Sequence, residues 1–213
     1  MAAAIAAVDV DIAAIESHAW REALALLAAG AAFPVEARRA RSAYLLIAVA
    51  RRQVGITLAY DPAYSKLAFP GGDVARSKGV CTDVLIRAYR DGLNVDLQAL
   101  VNADMKRAFS AYPKRWGLKS TDSNIDHRRV PNLQTFFARQ GAKLPVTRTY
   151  ADWQPGDIFT SLIGGTLPHI GIVSNQPSWQ SAPLVIHNIG RGTREEAALF
   201  DHPLTGHYRW LVR

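Results

Sequence analysis

A single cysteine and six histidines set the nucleophiles and bases that this 213-residue chain can offer. Cys81 lies in Gly79–Tyr89, GVCTDVLIRAY, where Val84, Leu85 and Ala88 recur at helical spacing after a glycine break. The pattern predicts a helix with Cys81 in, or just before, its first turn. Unpaired N–H groups and the positive end of the helix dipole favour a thiolate there, and the thiolate is the nucleophilic form of cysteine. A free cysteine also serves as a small buried apolar side chain. The chemical reading therefore requires a base.

His169 opens the run HIGIV, in which Ile170 and Ile172 share one strand face and His169, Gly171 and Val173 share the other. The small Gly171 is expected to leave room for substrate. His187 follows eighteen residues later in LVIHNIG. If the two strands pair as a hairpin, their imidazoles meet beside the thiol, one to take the Cys81 proton and one to orient the first. Asn188 is a rival orienter, because an amide can play that part in cysteine hydrolases. Adjacent strand residues point to opposite faces, so one of His187 and Asn188 qualifies. A histidine on a half-buried strand is also at home as a hydrogen-bonded core residue. A metal site built from His169, His187 and Asp157 is a competing chemistry, although the spacing matches no zinc motif.

Two further groups are candidates for substrate binding. Asp126-His127-Arg128-Arg129 forms a dense polar cluster before Pro131. Its arginines suit substrate carboxylates; alternatively, Asp126 and His127 tie the segment to the core by buried hydrogen bonds while the arginines are solvated. Asp83 either holds a catalytic loop or answers the dipole of the helix that Cys81 begins.

Helices are expected first and strands after. Residues 1–32 are alanine-rich and helical in character, with Ile12, Ile15, Trp20, Leu24 and Leu27 as a packing face. A second helix starts near Pro34, carries Leu45, Leu46 and Val49, stops at Gly55 and packs against the cysteine helix. Tyr60 to Val80 is rich in turn formers and reads as a long ordered loop. The cysteine helix runs to about Arg90 and ends at Asp91-Gly92; a third helical stretch spans Asp96 to Ser110. Residues 111–131 are irregular, and a helix with Leu133, Phe136 and Phe137 then reaches Gly141. Four β-like runs follow: Asp157–Leu162, His169–Ser174, Leu184–Ile189 and Tyr208–Val212. This order predicts an α+β domain, an antiparallel sheet packed against the cysteine helix.

Composition narrows the classes of function. One cysteine rules out an internal disulfide and a multi-thiolate zinc site. Lys and Arg exceed Asp and Glu by 25 to 18, a net charge of +7 that favours acidic partners. The basic residues are scattered in pairs, with no long tract, so nucleic acid is not an expected partner. The longest clear apolar run, Ala43 to Ala50, is eight residues, too short for a membrane span. The start, MAAAIAAVDVD, lacks a basic n-region and carries Asp9 and Asp11, so a signal peptide is absent or trimmed ahead of Met1.

Taken together, helix-start Cys81, the strand entry Pro155-Gly156-Asp157-Ile158, then His169-Ile170-Gly171-Ile172-Val173 and Ile186-His187 resemble the NlpC/P60 cell-wall peptidases of the papain-like superfamily. More closely, GVCTDV, NIDHRRVPNL, PGDI, HIGIV and VIHNIG resemble the DUF1287 family, a group related to those peptidases. The resemblance covers about residues 55–213, leaving 1–54 as an N-terminal helical extension with a possible protein partner. It implies a papain-like fold with Cys81 as nucleophile, His169 as base and His187 as third polar residue. It also implies no cofactor, a peptidoglycan stem peptide or similar amide as substrate, and a periplasmic or secreted location. Asp83, Asp126, His127, Arg128 and Tyr64 are the substrate-binding candidates. Two departures stand out: Val80-Cys81-Thr82-Asp83 replaces the usual Asp-Cys-Ser-Gly, and the nearest upstream tyrosines are Tyr64 and Tyr60. A non-catalytic cell-wall-binding module and a secreted antibacterial effector using the same chemistry are the alternatives.

Overall fold

The computed structural model describes residues 35–178 and 182–211. The helix expected over 1–32 lies outside the described residues. The elements that carry the candidate site belong to one compact unit, residues 39–213.

Among the described residues are four α-helices. The first, α1 (Val35–Arg51), buries Leu46, Ile47 and Ala50 in the main core. The second, α2 (Cys81–Leu93), has Gly92 inside its last turn rather than beyond its end. A Cβ on Gly92 would lie 3.0 Å from the Leu45 carbonyl and 3.2 Å from Val49 Cγ2. The glycine lets α1 and α2 approach closely, and the helix stops instead at Asn94, in the left-handed region at φ 54°, whose N–H donates to Arg90 O at 3.0 Å. In α3 (Leu97–Arg107), Asp96 caps the start by accepting from Gln98 N–H at 2.9 Å and Ala99 N–H at 3.2 Å. The fourth, α4 (Val130–Arg139), places Phe136 and Phe137 in the core, each burial contributing roughly 1.5–3 kcal/mol.

The loop from residue 60 to 80 is closed at its neck. Strand β1 (Ala59–Tyr60) pairs parallel with β2 (Lys78–Gly79), Tyr60 opposite Gly79. Arg87 of α2, fully buried, staples the loop down. Its guanidinium reaches both Asp73 carboxylate oxygens at 3.0–3.1 Å and donates to the Lys78 carbonyl at 3.0 Å and to Thr57 Oγ1 at 3.1 Å. Hydrogen-bonded charge buried in this way fixes geometry, and Tyr60 is thereby held next to the start of α2.

Six antiparallel strands form the sheet: β3 (Lys143–Leu144), β4 (Ile158–Ile163), β5 (Leu167–Pro177), β6 (Pro183–Asn188), β7 (Thr193–Glu196) and β8 (Leu204–Tyr208), in spatial order β3-β8-β4-β5-β6-β7. Three of the expected strands are present within a few residues. The fourth is shifted: Tyr208 ends β8 rather than beginning a strand, because β8 is in register with β4 through Tyr208 opposite Ile158. Strand β7 carries no signal of its own in the sequence, since TREE has no apolar alternation; it forms by pairing with β6.

One face of the sheet presents Ile158, Ile170, Ile172, Ile186 and Tyr208 to the helices, in one cluster with Cys81, Val84 and Leu85. Phe159, Val173 and Val185 point the other way and pack with Trp153 and Leu199. The fold is thus α+β, helices on one face of an antiparallel sheet. No helix among the described residues is long and apolar enough to cross a membrane.

Candidate active site

Cys81 is the first residue of α2 and 3% exposed. The Ile170 and Thr82 backbone N–H groups and the Tyr60 hydroxyl are directed at its sulfur and favour the thiolate. Burial outweighs them and, with the nearby Asp83 charge, pushes the thiol up to about 11. The same burial, with the cysteine beside it, raises the Tyr60 phenol. The resting sulfur is therefore a thiol, contrary to what its helix-start position alone suggests. The neighbouring tyrosine is Tyr60. Tyr64 is exposed and donates to Asp122 Oδ2 at 3.1 Å.

Strands β5 and β6 do pair, with Ile172 opposite Ile186 and Val173 opposite Val185. Continuing this register puts His169 and His187 diagonally on one face, where long side chains on adjacent strands meet. His169 Nε2 lies 2.9 Å from His187 Nδ1, and His187 Nε2 lies 3.0 Å from Glu196 Oε1 on β7. A carboxylate can only accept, so His187 Nε2 carries the hydrogen; neutral His187 then accepts at Nδ1, and His169 Nε2–H is the donor. What remains on His169 is an unprotonated Nδ1. Burial, reinforced by His187, brings His169 down to about 3, and burial also lowers His187 despite Glu196. Both rings are neutral near pH 7.

Gly171 has a different use from the one its size suggests. A Cβ there would lie 2.5 Å from Phe159 Cε1 and 3.0 Å from His187 Cβ. The space it leaves is filled by the Phe159 ring and His187, not by substrate. Phe159 stands 6.0 Å from the His169 ring and 6.3 Å from that of His187, walling the pair on its sheet face. The imidazoles meet each other but not the thiol: Cys81 packs with Ile170, Ile172 and Ile186 on the helix face of the sheet, the histidine pair stands with Phe159 on the other, and no hydrogen bond joins Cys81 to either ring among the described residues. The link between them is strand β5, whose Ile170 amide reaches the sulfur one residue beyond His169. Asn188 points to the other side, where its amide donates to the Gly79 carbonyl at 3.0 Å and ties β6 to the neck of the loop before Cys81.

The cluster before Pro131 is largely structural. Arg128 forms a bidentate pair with Asp83, 2.9 Å on both arms, and both side chains are almost wholly buried. Asp83 Oδ2 also accepts from the Val80 N–H at 2.7 Å, which fixes the residue before Cys81. Asp126 accepts from the Asp122 N–H at 2.6 Å and from Arg129 at 3.1 Å. His127 is buried, its Nδ1 has no partner among the described residues, and burial lowers it to about 4. Asp157 is engaged by Arg209 at 2.7 Å and His207 at 2.7 Å, so it is not shared with the His169–His187 pair.

A cavity of about 250 Å³ opens over Cys81. Tyr60, Val80, Pro168, Trp116 and the arginines Arg115, Arg128 and Arg129 are among the residues that line it. Sequence spacing did not single out Glu196 or Trp116, because Glu196 lies in a polar strand with no pattern of its own and Trp116 in an irregular segment, so neither has a local period to mark it. The hint for Glu196 was its place in the first charged run after His187.

Comparison with known proteins shows the family. Residues 47–210 match the family described as "Domain of unknown function (DUF1287)". A protein of Escherichia coli (strain K12), "Uncharacterized protein YijF", is 52% identical over 164 residues, covering 77% of this chain and 80% of that protein. The chain that builds the Cys81 cavity and the His169–His187–Glu196 relay belongs to the DUF1287 family.

Proposed function

We propose that this protein is a cysteine-dependent amide hydrolase, related to the papain-like NlpC/P60 peptidases, that acts on peptidoglycan stem peptides or a similar amide in the periplasm or outside the cell. The observation that carries the reading is the one-way relay Glu196–His187–His169, which leaves a lone pair on His169 Nδ1 at the strand whose next amide reaches the Cys81 sulfur. A tautomer fixed by two successive hydrogen bonds is what a general base needs.

In this reading the thiol and imidazole start neutral. As sulfur attacks the amide carbonyl, its proton passes to His169 Nδ1 through one bridging water, since the two groups share no direct hydrogen bond, and His187 and Glu196 stabilise the imidazolium that forms. The Cys81 N–H, one of the orphan donors of the first helical turn, and the Tyr60 hydroxyl are placed to take the developing oxyanion. His169 then protonates the leaving amine, and water, deprotonated by the same histidine, releases the acyl group.

The test is hydrolysis of purified peptidoglycan and its soluble peptide fragments, followed by mass spectrometry. Products from the wild type that vanish in Cys81→Ala and in His169→Ala support the proposal. A second reading, a cell-wall-binding module without turnover, is favoured by the raised thiol. Binding of the same fragments with no product, unaffected by Cys81→Ala, would establish it instead.

A further inference from the structure

Three arginines line the cavity over Cys81, and no aspartate or glutamate does among the described residues. Two of the three are already answered. Arg128 is held by Asp83, and Arg129 by Asp126. Arg115 is exposed and makes no ion pair or hydrogen bond with any described residue; its contact is with the Trp116 ring, 5.5 Å from the guanidinium carbon to the ring centroid. Arg129 lies over the same ring at 4.2 Å. Trp116 is thus fixed by a guanidinium that is itself anchored, and it carries a second guanidinium whose charge is free.

We propose that Arg115, backed by Trp116, is a specificity residue that binds a carboxylate of the substrate beside the amide attacked by Cys81. This deepens the hydrolase reading and rests on it. The charge count selects the ligand: a wall with one uncompensated cation and no acid favours an anion and disfavours an ammonium group. The planar guanidinium selects further, since two parallel N–H donors match the two oxygens of a carboxylate. Of the two arginines singled out from the sequence for this role, Arg128 has both such donors turned to Asp83 and Arg129 gives one nitrogen to Asp126.

The lone cysteine permits a test that needs no substrate. Iodoacetate and iodoacetamide alkylate the same sulfur and differ by one carboxylate. Their rate ratio on Cys81, measured on the full chain at about pH 9 where thiolate is accessible, reports the charge of the cavity. In Arg115→Gln this ratio is expected to fall about threefold at low ionic strength, and the wild-type ratio to fall with added salt. Lys114→Gln, which removes a neighbouring cation outside the cavity lining, should leave it unchanged. An equal fall in Lys114→Gln would reduce the effect to a general surface field and overturn the proposal, as would an unaltered ratio in Arg115→Gln. Failure of both reagents to react would show the cavity closed to a carboxylate of this size, and the proposal would fall in that case too. Protection of Cys81 by inorganic phosphate but not by N-acetylglutamate would replace the carboxylate with a phosphate. Because alkylation does not require turnover, an Arg115-dependent ratio in a protein with no hydrolase activity would separate the binding site from the proposed reaction.

Discussion

The burial of Cys81 has a measurable cost for the thiolate. Moving the group from an ordinary value of 9.0 to about 11 favours the thiol by about 2.7 kcal/mol. At pH 7.5 the thiolate fraction falls from roughly 3% to roughly 0.03%, so alkylation by iodoacetamide should be about 100-fold slower than for an ordinary exposed cysteine. The rate should keep rising through pH 10 without a plateau. Tyr60→Phe removes a donor that favours the thiolate and should move the profile to still higher pH. His169→Ala should leave the profile in place, because a neutral imidazole lends the sulfur no charge, while abolishing hydrolysis. A profile with its midpoint below about 8.5 that rises on His169→Ala would refute this reasoning: it would show a preformed thiolate–imidazolium pair.

Other expectations follow from the same geometry. Glu196→Gln replaces an obligate acceptor with a group that can also donate, so part of the His169 population should shift its proton to Nδ1. With Glu196 part-exposed, a loss of about 1 kcal/mol is expected, seen in ¹⁵N chemical shifts of both rings and as a several-fold drop in turnover. Gly171→Ala forces a methyl against Phe159 and His187 and should destabilise the fold by about 1–3 kcal/mol in chemical denaturation, with disturbed His187 signals. His127 is held neutral down to about 4, against 6.5 when unfolded, so between those values the unfolded chain binds more protons and stability rises with pH. The full effect is about 3 kcal/mol, lost as pH falls from 6.5 to 4. His127→Gln should flatten that part of the stability profile.

The helix at Cys81, the strand at His169 and the pairing partner at His187 are local properties. Each rests on a run of neighbouring residues: the 3.6-residue period of Val84, Leu85 and Ala88, and the twofold alternation of Ile170 and Ile172. The ends of elements were less legible. Gly92 is a common stop signal, yet it continues α2 because α1 passes over it; nothing within the helix's own sequence records that crossing. Strand β7 is polar and acquires its structure from β6.

The amino-acid sequence by itself determined the inventory of chemistry: one thiol at a helix start and two histidines on successive strands, within an α+β order of elements. Tertiary structure alone decided which groups act together. It brought Glu196 to His187 across a strand pair, Tyr60 to Cys81 through the β1–β2 neck, and Asp83 to Arg128 across 45 residues. It also reversed the expected charge state of the thiol, since burial is a sum over all packed neighbours and the helix-start signal is only one contribution to it. Finally, by pairing Arg128 and Arg129 with buried acids, it left Arg115 as the free cation of the Cys81 cavity among the described residues. Long-range pairing of charges depends on where the chain returns to itself, which local spacing does not encode.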